Sequence, residues 1–185
     1  MNLIINQRDN STSVFYNFSG SFRFNFVAEK IIKMENKNYS AAIEVAQSPE
    51  EAFSSINKVT KWWSDNLEGH TENLNDEFII DWSDGNFVAF KIIESVPGKK
   101  VRWLVTDSNL NWLADKREWS NTQMDFTISP ADGKTRISFT HIGLVPGVEC
   151  YEMCVKGWDQ FFKGSLYELI TTGKGQPQLR KKVQM

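Results

Sequence analysis

The chain is short of cysteine, of histidine and of long apolar runs, and each shortage narrows what the protein can be. It has two cysteines and two histidines in 185 residues. A chain of this length buries roughly 70% of its unfolded surface, so folding requires neither disulfides nor a structural metal. No run of about 18 apolar residues occurs, and the N-terminus lacks the basic start and apolar stretch of a signal peptide. We therefore expect a cytoplasmic protein without membrane insertion.

An excess of one charge is also missing. Lys and Arg together number 21, Asp and Glu together number 23, and the formal net charge is -2. A protein that binds a phosphate backbone through its surface charge carries a basic balance or a basic patch, and this composition offers neither. Nucleic acid is therefore not an expected partner.

The few metal-ligating residues do not form a recognisable site. Cys150 and Cys154 lie four apart in a predicted helix, where side chains share a face but disulfide geometry is poor, so we expect two reduced thiols. Zinc takes four ligands, or three and a water, and His141 would be only the third here. Phosphate-binding glycine loops and a nucleophile elbow are absent as well. We expect no metal and no cofactor.

Aromatic side chains, in contrast, are abundant. The chain contains 7 Trp and 13 Phe. This number of large rings exceeds what ordinary core filling in a domain of this size requires, although most of them will lie in the core. The excess raises the question of whether some rings line a cavity.

Residues 1–33 differ in composition and in hydrophobic pattern from the rest of the chain. Asn, Ser and Phe dominate this segment, and only Phe22, Phe24 and Phe26 alternate as strand residues do. We expect a poorly ordered N-terminal extension. Our hypothesis is that these residues are translated upstream DNA and that Met34 is the true initiator. The alternative is a genuine but flexible N-terminal arm.

Regular structure is predicted from Tyr39 onward. Apolar residues alternate over 39–45, which predicts a half-buried strand. Ser48, Pro49 and Glu51 then match an N-cap, a first helical position and a capping box, so a short helix follows. A second short helix is predicted within 57–65 from the spacing of its apolar residues.

The second half of the chain alternates strands and turns and ends in one long helix. Strands are predicted over 78–82, 87–93, 101–105, 124–128 and 137–141. The polar connection 106–121, which contains Trp112 and Trp119, is longer than ordinary hairpin loops, so it is either functional or wrapped over the sheet. Three- and four-residue spacing predicts an amphipathic helix over 148–172, followed by Gly173.

This order predicts an α+β helix-grip fold. A curved antiparallel sheet wraps around the long C-terminal helix, two short helices follow the first strand, and a cavity lies between the helix and the sheet. We assign the domain to 34–175 and a short, solvated basic tail to 176–185.

The same segments resemble a known superfamily. The chain is similar to START-like or Bet v 1-like (SRPBCC) domains, and within them to bacterial domains like the C-terminal domain of the activator of Hsp90 ATPase. The resemblance covers about 39–175 and is carried by these motifs: Ser48-Pro49-Glu50-Glu51-Ala52-Phe53, Trp62-Trp63, Glu118-Trp119, Phe126-Thr127-Ile128, Thr140-His141-Ile142-Gly143-Leu144-Val145-Pro146, Gly157-Trp158, Gly164-Ser165-Leu166 and Gly173-Lys174-Gly175.

The resemblance predicts the fold specifically, but it predicts the function only weakly. The superfamily includes lipid carriers, hormone receptors and cyclases. The eukaryotic Hsp90 activator has a separate N-terminal domain that makes much of its chaperone contact, and the residues before Met34 are too few and too irregular to form one. The family name therefore does not by itself give the activity.

Eight residues are candidates to line a ligand cavity, because they lie on the elements that surround the cavity in this family. They are Trp62, Trp63, Trp82, Phe90, Trp103, His141, Trp158 and Phe162. The alternative is that these side chains fill the core completely. Gly157 and Gly164, seven apart on the long helix, indicate close approach to another element or to a ligand, although close packing alone would explain them.

Three functions compete at this point. The first is non-enzymatic binding of a small apolar or amphipathic molecule between the C-terminal helix and the sheet. The second is a chaperone-linked module that contacts Hsp90-type ATPases. The third is a cyclase- or hydrolase-like enzyme with His141 as acid or base, although a lone His on an apolar face is more often a core or pocket residue. The expected oligomeric state is a monomer or a homodimer.

Overall fold

The computed structural model describes residues 37–179. The hypotheses about residues 1–33 and the end of the basic tail, 180–185, lie outside the described residues. The strands are β1 (Tyr39–Val45), β2 (Leu67–Gly69), β3 (Glu77–Asp81), β4 (Phe87–Val96), β5 (Lys100–Asn109), β6 (Gln123–Ala131) and β7 (Lys134–Ile142). The short helices are α1 (Pro49–Asn57) and α2 (Val59–Trp62).

The seven strands form one antiparallel sheet in the order β1-β7-β6-β5-β4-β3-β2. Each of the longer strands alternates buried and less buried residues, as the period-2 pattern predicts. Register carries this alternation across the sheet, so that Phe126 faces Phe139 and Met124 faces His141 on neighbouring strands. The predicted inward position of His141 is confirmed, since its side chain has no exposed surface.

Helix α1 begins as the sequence predicts. The backbone N–H of Glu51 donates to the Ser48 hydroxyl at 3.2 Å, and the Glu51 carboxylate accepts from the Ser48 backbone N–H at 2.9 Å. This reciprocal pair satisfies two amide groups that the first turn leaves without helical partners. Pro49 occupies the first helical position, where its missing N–H costs nothing.

The C-terminal helix runs over 151–172 and has three consecutive parts. Helix α3 (Tyr151–Trp158) leads into a π-helical segment (Asp159–Leu166), and α4 (Tyr167–Thr172) completes it. The sequence predicted a single helix that begins three residues earlier, and it gave no sign of the π-helical segment, because apolar spacing does not report the backbone hydrogen-bond pattern. Gly173, at φ 80°, ends the helix in the left-handed conformation.

The space between the C-terminal helix and the middle of the sheet is filled. The large side chains without exposed surface or nearly so include Trp62, Phe78, Phe90, Trp103, Phe126, Phe139 and Phe162. Neighbouring rings lie in contact, with centroid separations such as 4.8 Å for Phe126 and Phe139. The fold is therefore an α+β helix grip, as predicted, with a packed aromatic core under the helix. No helix among residues 37–179 has the length and apolar character needed to cross a membrane.

The described part of the C-terminal tail packs back on the domain. The backbone N–H of Gln178 donates to the Trp63 carbonyl at 2.8 Å, and the Asp65 N–H donates to the Gln178 carbonyl at 3.1 Å. Gly175 lies so near the Lys61 carbonyl that a Cβ would come within 2.4 Å of it. Gln178 is thus held beside Trp63 through its backbone, while Gln176, Gln178 and Leu179 stay exposed to solvent.

Candidate ligand pocket

A cavity of about 380 Å³ lies at one end of the helix grip. Its wall combines the first half of the C-terminal helix, the β3–β4 turn, the connection 110–122 and the residue after α2. The lining residues are Trp63, Trp82, Asp84, Asn86, Trp112, Trp119, Met153, Cys154, Gly157, Trp158, Phe161 and Gln178. Five of the seven tryptophans of the chain therefore line one cavity.

Four of these indoles form a closed ring of contacts. Trp63 lies 4.9 Å from Trp158, and Trp158 stacks nearly parallel on Trp119 at 6.2 Å between ring centroids. Trp82 closes the ring, at 6.5 Å from Trp119 and 6.3 Å from Trp63. Trp112 adds a fifth indole, 6.1 Å from Trp82.

The inner and outer parts of the pocket differ in exposure. Trp63, Trp119 and Trp158 are buried and form its inner wall. At its mouth, Trp112 is 46% exposed and Met153 is 55% exposed. A large apolar ring and a flexible thioether therefore face solvent beside an apolar cavity, which is the arrangement expected of an entrance for an apolar ligand.

Two carboxylates fasten the connection 110–122 to the start of the C-terminal helix. The Glu118 carboxylate accepts hydrogen bonds from the backbone N–H of Glu149 at 2.6 Å and from that of Cys150 at 2.9 Å. In return, the Glu149 carboxylate accepts one from the Ala114 N–H at 2.8 Å. These bonds satisfy amides before the first helical turn and hold Trp112 and Trp119 against the pocket.

The β3–β4 turn is attached to the same connection. The Asn111 N–H donates to the Asn86 side chain at 2.8 Å, and the Asn111 amide donates to the Asp84 carbonyl at 2.9 Å. Asp84 adopts a positive φ of 55°, a conformation that Asp and Asn tolerate better than other non-glycine residues. These bonds place Asp84, an exposed residue, at the pocket mouth.

His141 lies behind the pocket wall and fixes one of its rings. The Trp158 indole N–H donates to His141 Nδ1 at 3.0 Å, and His141 Nε2 lies 3.0 Å from the Thr122 hydroxyl. The Thr122 hydroxyl itself donates to the Trp119 carbonyl at 2.6 Å, so it accepts from Nε2–H. This chain of bonds defines a neutral imidazole with its proton on Nε2.

The environment of His141 is unsuited to proton transfer with a ligand. Burial lowers the pKa of His141 from 6.5 to about 3, so the ring is neutral at physiological pH. Both ring nitrogens are occupied by Trp158 and Thr122, and no part of the side chain is exposed. His141 therefore positions Trp158, and the geometry does not support an acid or base role in the pocket.

The prediction of two reduced thiols is wrong in this structure. Cys150 and Cys154 are joined in a disulfide, with their Cα atoms 5.6 Å apart. Cys150 precedes the first helical residue, Tyr151, and one helical turn brings the two Cα atoms within disulfide range. Cys154 lines the pocket, so the bridge forms part of its wall. Among residues 37–179, no three His, Cys, Asp or Glu side chains are grouped to hold a metal ion.

The structure separates the eight predicted site residues into two groups. Trp63, Trp82 and Trp158 line the pocket. The other five are buried in the core and do not line it: Trp62, Phe90, Trp103, His141 and Phe162. A ligand-binding role for the first three residues remains a prediction.

Sequence reasoning did not select several lining residues. Trp112 and Trp119 lie on a connection without periodicity, whose unusual length was the available signal. Phe161 belongs to the apolar face that the helical spacing predicts, whereas Met153 does not follow that spacing. The sequence indicates a close approach to another element or to a ligand at Gly157. In the structure the space beside Gly157 is open, since no atom lies within 4 Å of the position that a Cβ would take. Close packing therefore does not explain this glycine.

Comparison with known proteins matches the chain to a protein family. The family model described as Activator of Hsp90 ATPase homolog 1-like protein matches residues 51–171. The match begins in α1 and ends in α4, so it includes every lining residue of the pocket except Gln178. Comparison with curated proteins finds no match.

Several solved structures share the fold. The Aha1 dimer from Colwellia psychrerythraea, a solution structure, is 22% identical with a TM-score of 0.60, over 75% of this chain and 99% of that chain. MLL2253 from Mesorhizobium loti is 18% identical with a TM-score of 0.54, over 71% and 96%. SSP2350 from Staphylococcus saprophyticus is 9% identical with a TM-score of 0.56, over 77% and 98%. At these identities the similarity concerns the fold alone.

Proposed function

Because the chain belongs to the Activator of Hsp90 ATPase homolog 1-like family, a START-like and Bet v 1-like group whose fold hosts varied functions, we propose its function from the pocket rather than from the family name. The proposed function is non-enzymatic binding of a small apolar or amphipathic molecule. The observation that carries it is the cavity of about 380 Å³ lined by five tryptophans.

Size and lining both support this proposal. The volume lies within the range of roughly 300–1,000 Å³ that is typical of small-molecule sites. Burial of apolar surface against indoles supplies affinity, at roughly 25 cal/mol per Å². Few polar groups line the cavity, and they lie on the β3–β4 turn and at Gln178, where they can orient a polar end of the ligand.

The chemistry of the wall supports binding without conversion. Within the described part of the chain, Asp84 is the one lining residue with a free ionisable side chain, because Cys154 is in the disulfide. Acid-base or nucleophilic catalysis requires a second group within hydrogen-bond reach of the first. His141 does not supply that group, since it is buried, neutral and already hydrogen-bonded on both ring nitrogens.

Titration with a panel of lipids and aromatic metabolites tests the proposed function. Because five of the seven tryptophans line the pocket, a bound molecule is expected to change the intrinsic fluorescence and to raise the melting temperature. Native mass spectrometry of protein isolated from its own host is expected to show a bound small molecule. A panel without any fluorescence or melting response, together with a ligand-free mass, would contradict the proposal.

Contact with an Hsp90-type ATPase is a second candidate function. It rests on membership of the family and on the similarity of fold to the Aha1 protein from Colwellia psychrerythraea. If this function is correct, adding the protein is expected to change the ATP turnover of the chaperone from the same host. An unchanged turnover at saturating protein would reject it.

The Colwellia protein is a dimer. Sedimentation of this chain would distinguish its two expected oligomeric states, monomer and homodimer.

A further inference from the structure

We infer that the ligand carries a positive charge, as an ammonium group with organic substituents, and that the indoles and Asp84 at the pocket mouth hold this charge. The inference rests on the proposed function, because it names the chemical class of the molecule in the same pocket. It follows from the charge of the wall, from the kind of aromatic ring that lines it, and from its apolar remainder.

Among residues 37–179, the wall has one formal charge, and that charge is negative. Within this range the lining includes Asp84 and no Lys, Arg or His. The Asp84 carboxylate forms no ion pair with any residue in the range 37–179. Asp84 is exposed, so its field acts at the mouth of the pocket rather than deep within it. A cation entering there gains attraction without displacing a cationic partner from the carboxylate.

The aromatic wall favours a cation for an independent reason. Indole faces carry negative electrostatic potential, and Trp is the strongest cation–π partner among the aromatic side chains. A cation that contacts the faces of these indoles is therefore attracted, whereas an anion on the same faces is repelled. Aromatic enclosures of this kind are suited to quaternary and methylated ammonium groups, because such cations lose little hydration when they leave water.

The remainder of the wall indicates that the cation has organic substituents. Met153 and Phe161 add apolar surface, and the pocket is far larger than a simple metal ion requires. A bare metal ion would find one carboxylate and too few oxygen ligands. An anionic amphiphile, such as a fatty acid, would place its carboxylate near Asp84 without a cationic partner on the wall. An aryl or alkyl ammonium ion satisfies both the charge and the apolar surface.

A set of three phenols, of which the cation and the neutral compound are isosteric, separates charge from shape. We would titrate the full chain with (4-hydroxybenzyl)trimethylammonium, with its neutral carbon isostere 4-neopentylphenol, and with the anion 4-hydroxyphenylacetate, and follow binding by calorimetry. The cation is expected to bind about tenfold more tightly than the neutral isostere, since cation–π attraction is worth up to about 2 kcal/mol in a desolvated site. The anion is expected to bind most weakly.

A matched pair of variants tests the part played by Asp84. Asp84→Asn is expected to weaken binding of the cation about three- to fivefold more than it weakens binding of the neutral isostere. Asp132→Asn is the control, because Asp132 is also an exposed turn residue with positive φ, at 47°, and it does not line the pocket. Added salt should reduce the difference between the cation and the isostere in the unmodified protein.

The outcomes distinguish this inference from the proposed function. Equal affinity for the cation and the isostere, or tighter binding of the anion, would overturn the inference and leave the proposed function standing. Absence of binding by all three probes would overturn the inference, whereas the proposed function is overturned only if the lipid and metabolite panel and the native mass also show no ligand. An equal effect of Asp84→Asn and Asp132→Asn on the cation would also overturn the assignment to Asp84.

Discussion

Replacing His141 by Phe is expected to lower the free energy of unfolding by about 2–4 kcal/mol. The phenyl ring fills a similar volume, but it removes the acceptor of the Trp158 indole N–H and leaves that buried donor without a partner. The Thr122 hydroxyl also loses the hydrogen bond that it accepts from His141 Nε2 at 3.0 Å. Binding in the pocket should weaken as well, because Trp158 is then no longer held in its orientation. Chemical denaturation and ligand titration measure the two effects.

His141→Asn separates the Trp158 hydrogen bond from the other contributions of the ring. An amide oxygen at this position lies near the place of Nδ1, so it can accept from Trp158, and we expect a smaller loss of about 1–2 kcal/mol. His70→Asn, in an exposed loop, serves as the control and should change stability by less than about 0.5 kcal/mol. Equal losses for His141→Phe and His141→Asn would contradict the positioning role.

Acid sensitivity provides a second readout of the same residue. In the unfolded chain His141 has its ordinary pKa of 6.5, whereas burial lowers the pKa of His141 in the folded protein to about 3. The stability that depends on neutral His141 is therefore complete above pH 6.5 and is lost as the pH falls toward 3, by roughly 1 kcal/mol for each pH unit. His141→Asn should show a shallower loss between about pH 6.5 and pH 4.5.

Replacing Gly157 by Leu is expected to reduce ligand affinity at least about tenfold, as extra side-chain volume occupies a wall of the pocket. The fold should tolerate the change, because no atom lies within 4 Å of the position of a Cβ and the backbone is helical. Removal of a helical glycine should even raise the free energy of unfolding by up to about 1 kcal/mol. Loss of binding without loss of stability is the signature of an occluded site.

Alanine variants at two glycines supply the control for this substitution. Gly164 lies in the same helix outside the pocket, and a Cβ there would meet only the Asp159 carbonyl, at an ordinary 3.9 Å. Gly164→Ala should stabilise the helix without changing affinity. Gly157→Ala should stabilise it similarly and weaken binding less than Gly157→Leu does. Unchanged affinity across the Gly157 series would place the ligand elsewhere.

The fold was predictable because its signals are local and periodic. Alternation of apolar residues along the strands predicts which side chains, including that of His141, point into the core. The capping box of Ser48 and Glu51 predicts where α1 begins. The pocket was only partly predictable, because a cavity depends on where neighbouring elements fail to fill space. Trp112 and Trp119 reach it from a connection whose course is set by the long-range hydrogen bonds of Glu118 and Glu149. Nothing in local spacing reports such bonds.

The excess of aromatic residues has two explanations in the structure. Trp62, Trp103, Phe126, Phe139 and Phe162 fill the space under the C-terminal helix, where the sequence predicted a cavity. Other rings enclose a space at the end of the grip, beyond this packed core. A fully buried ring and a ring on a pocket wall have the same period in the sequence, since both point inward. Periodicity alone therefore cannot distinguish filling from enclosing.

Fluorine NMR of protein labelled with 5-fluorotryptophan tests the central claim most directly. The seven tryptophans give seven resonances, each assigned by a Trp→Phe variant. On titration with (4-hydroxybenzyl)trimethylammonium and with 4-neopentylphenol, we expect the largest shifts at the five residues of the pocket: Trp63, Trp82, Trp112, Trp119 and Trp158. The resonances of the core residues Trp62 and Trp103 should move least. Shifts concentrated at Trp62 and Trp103, or no shift with either probe, would contradict the account.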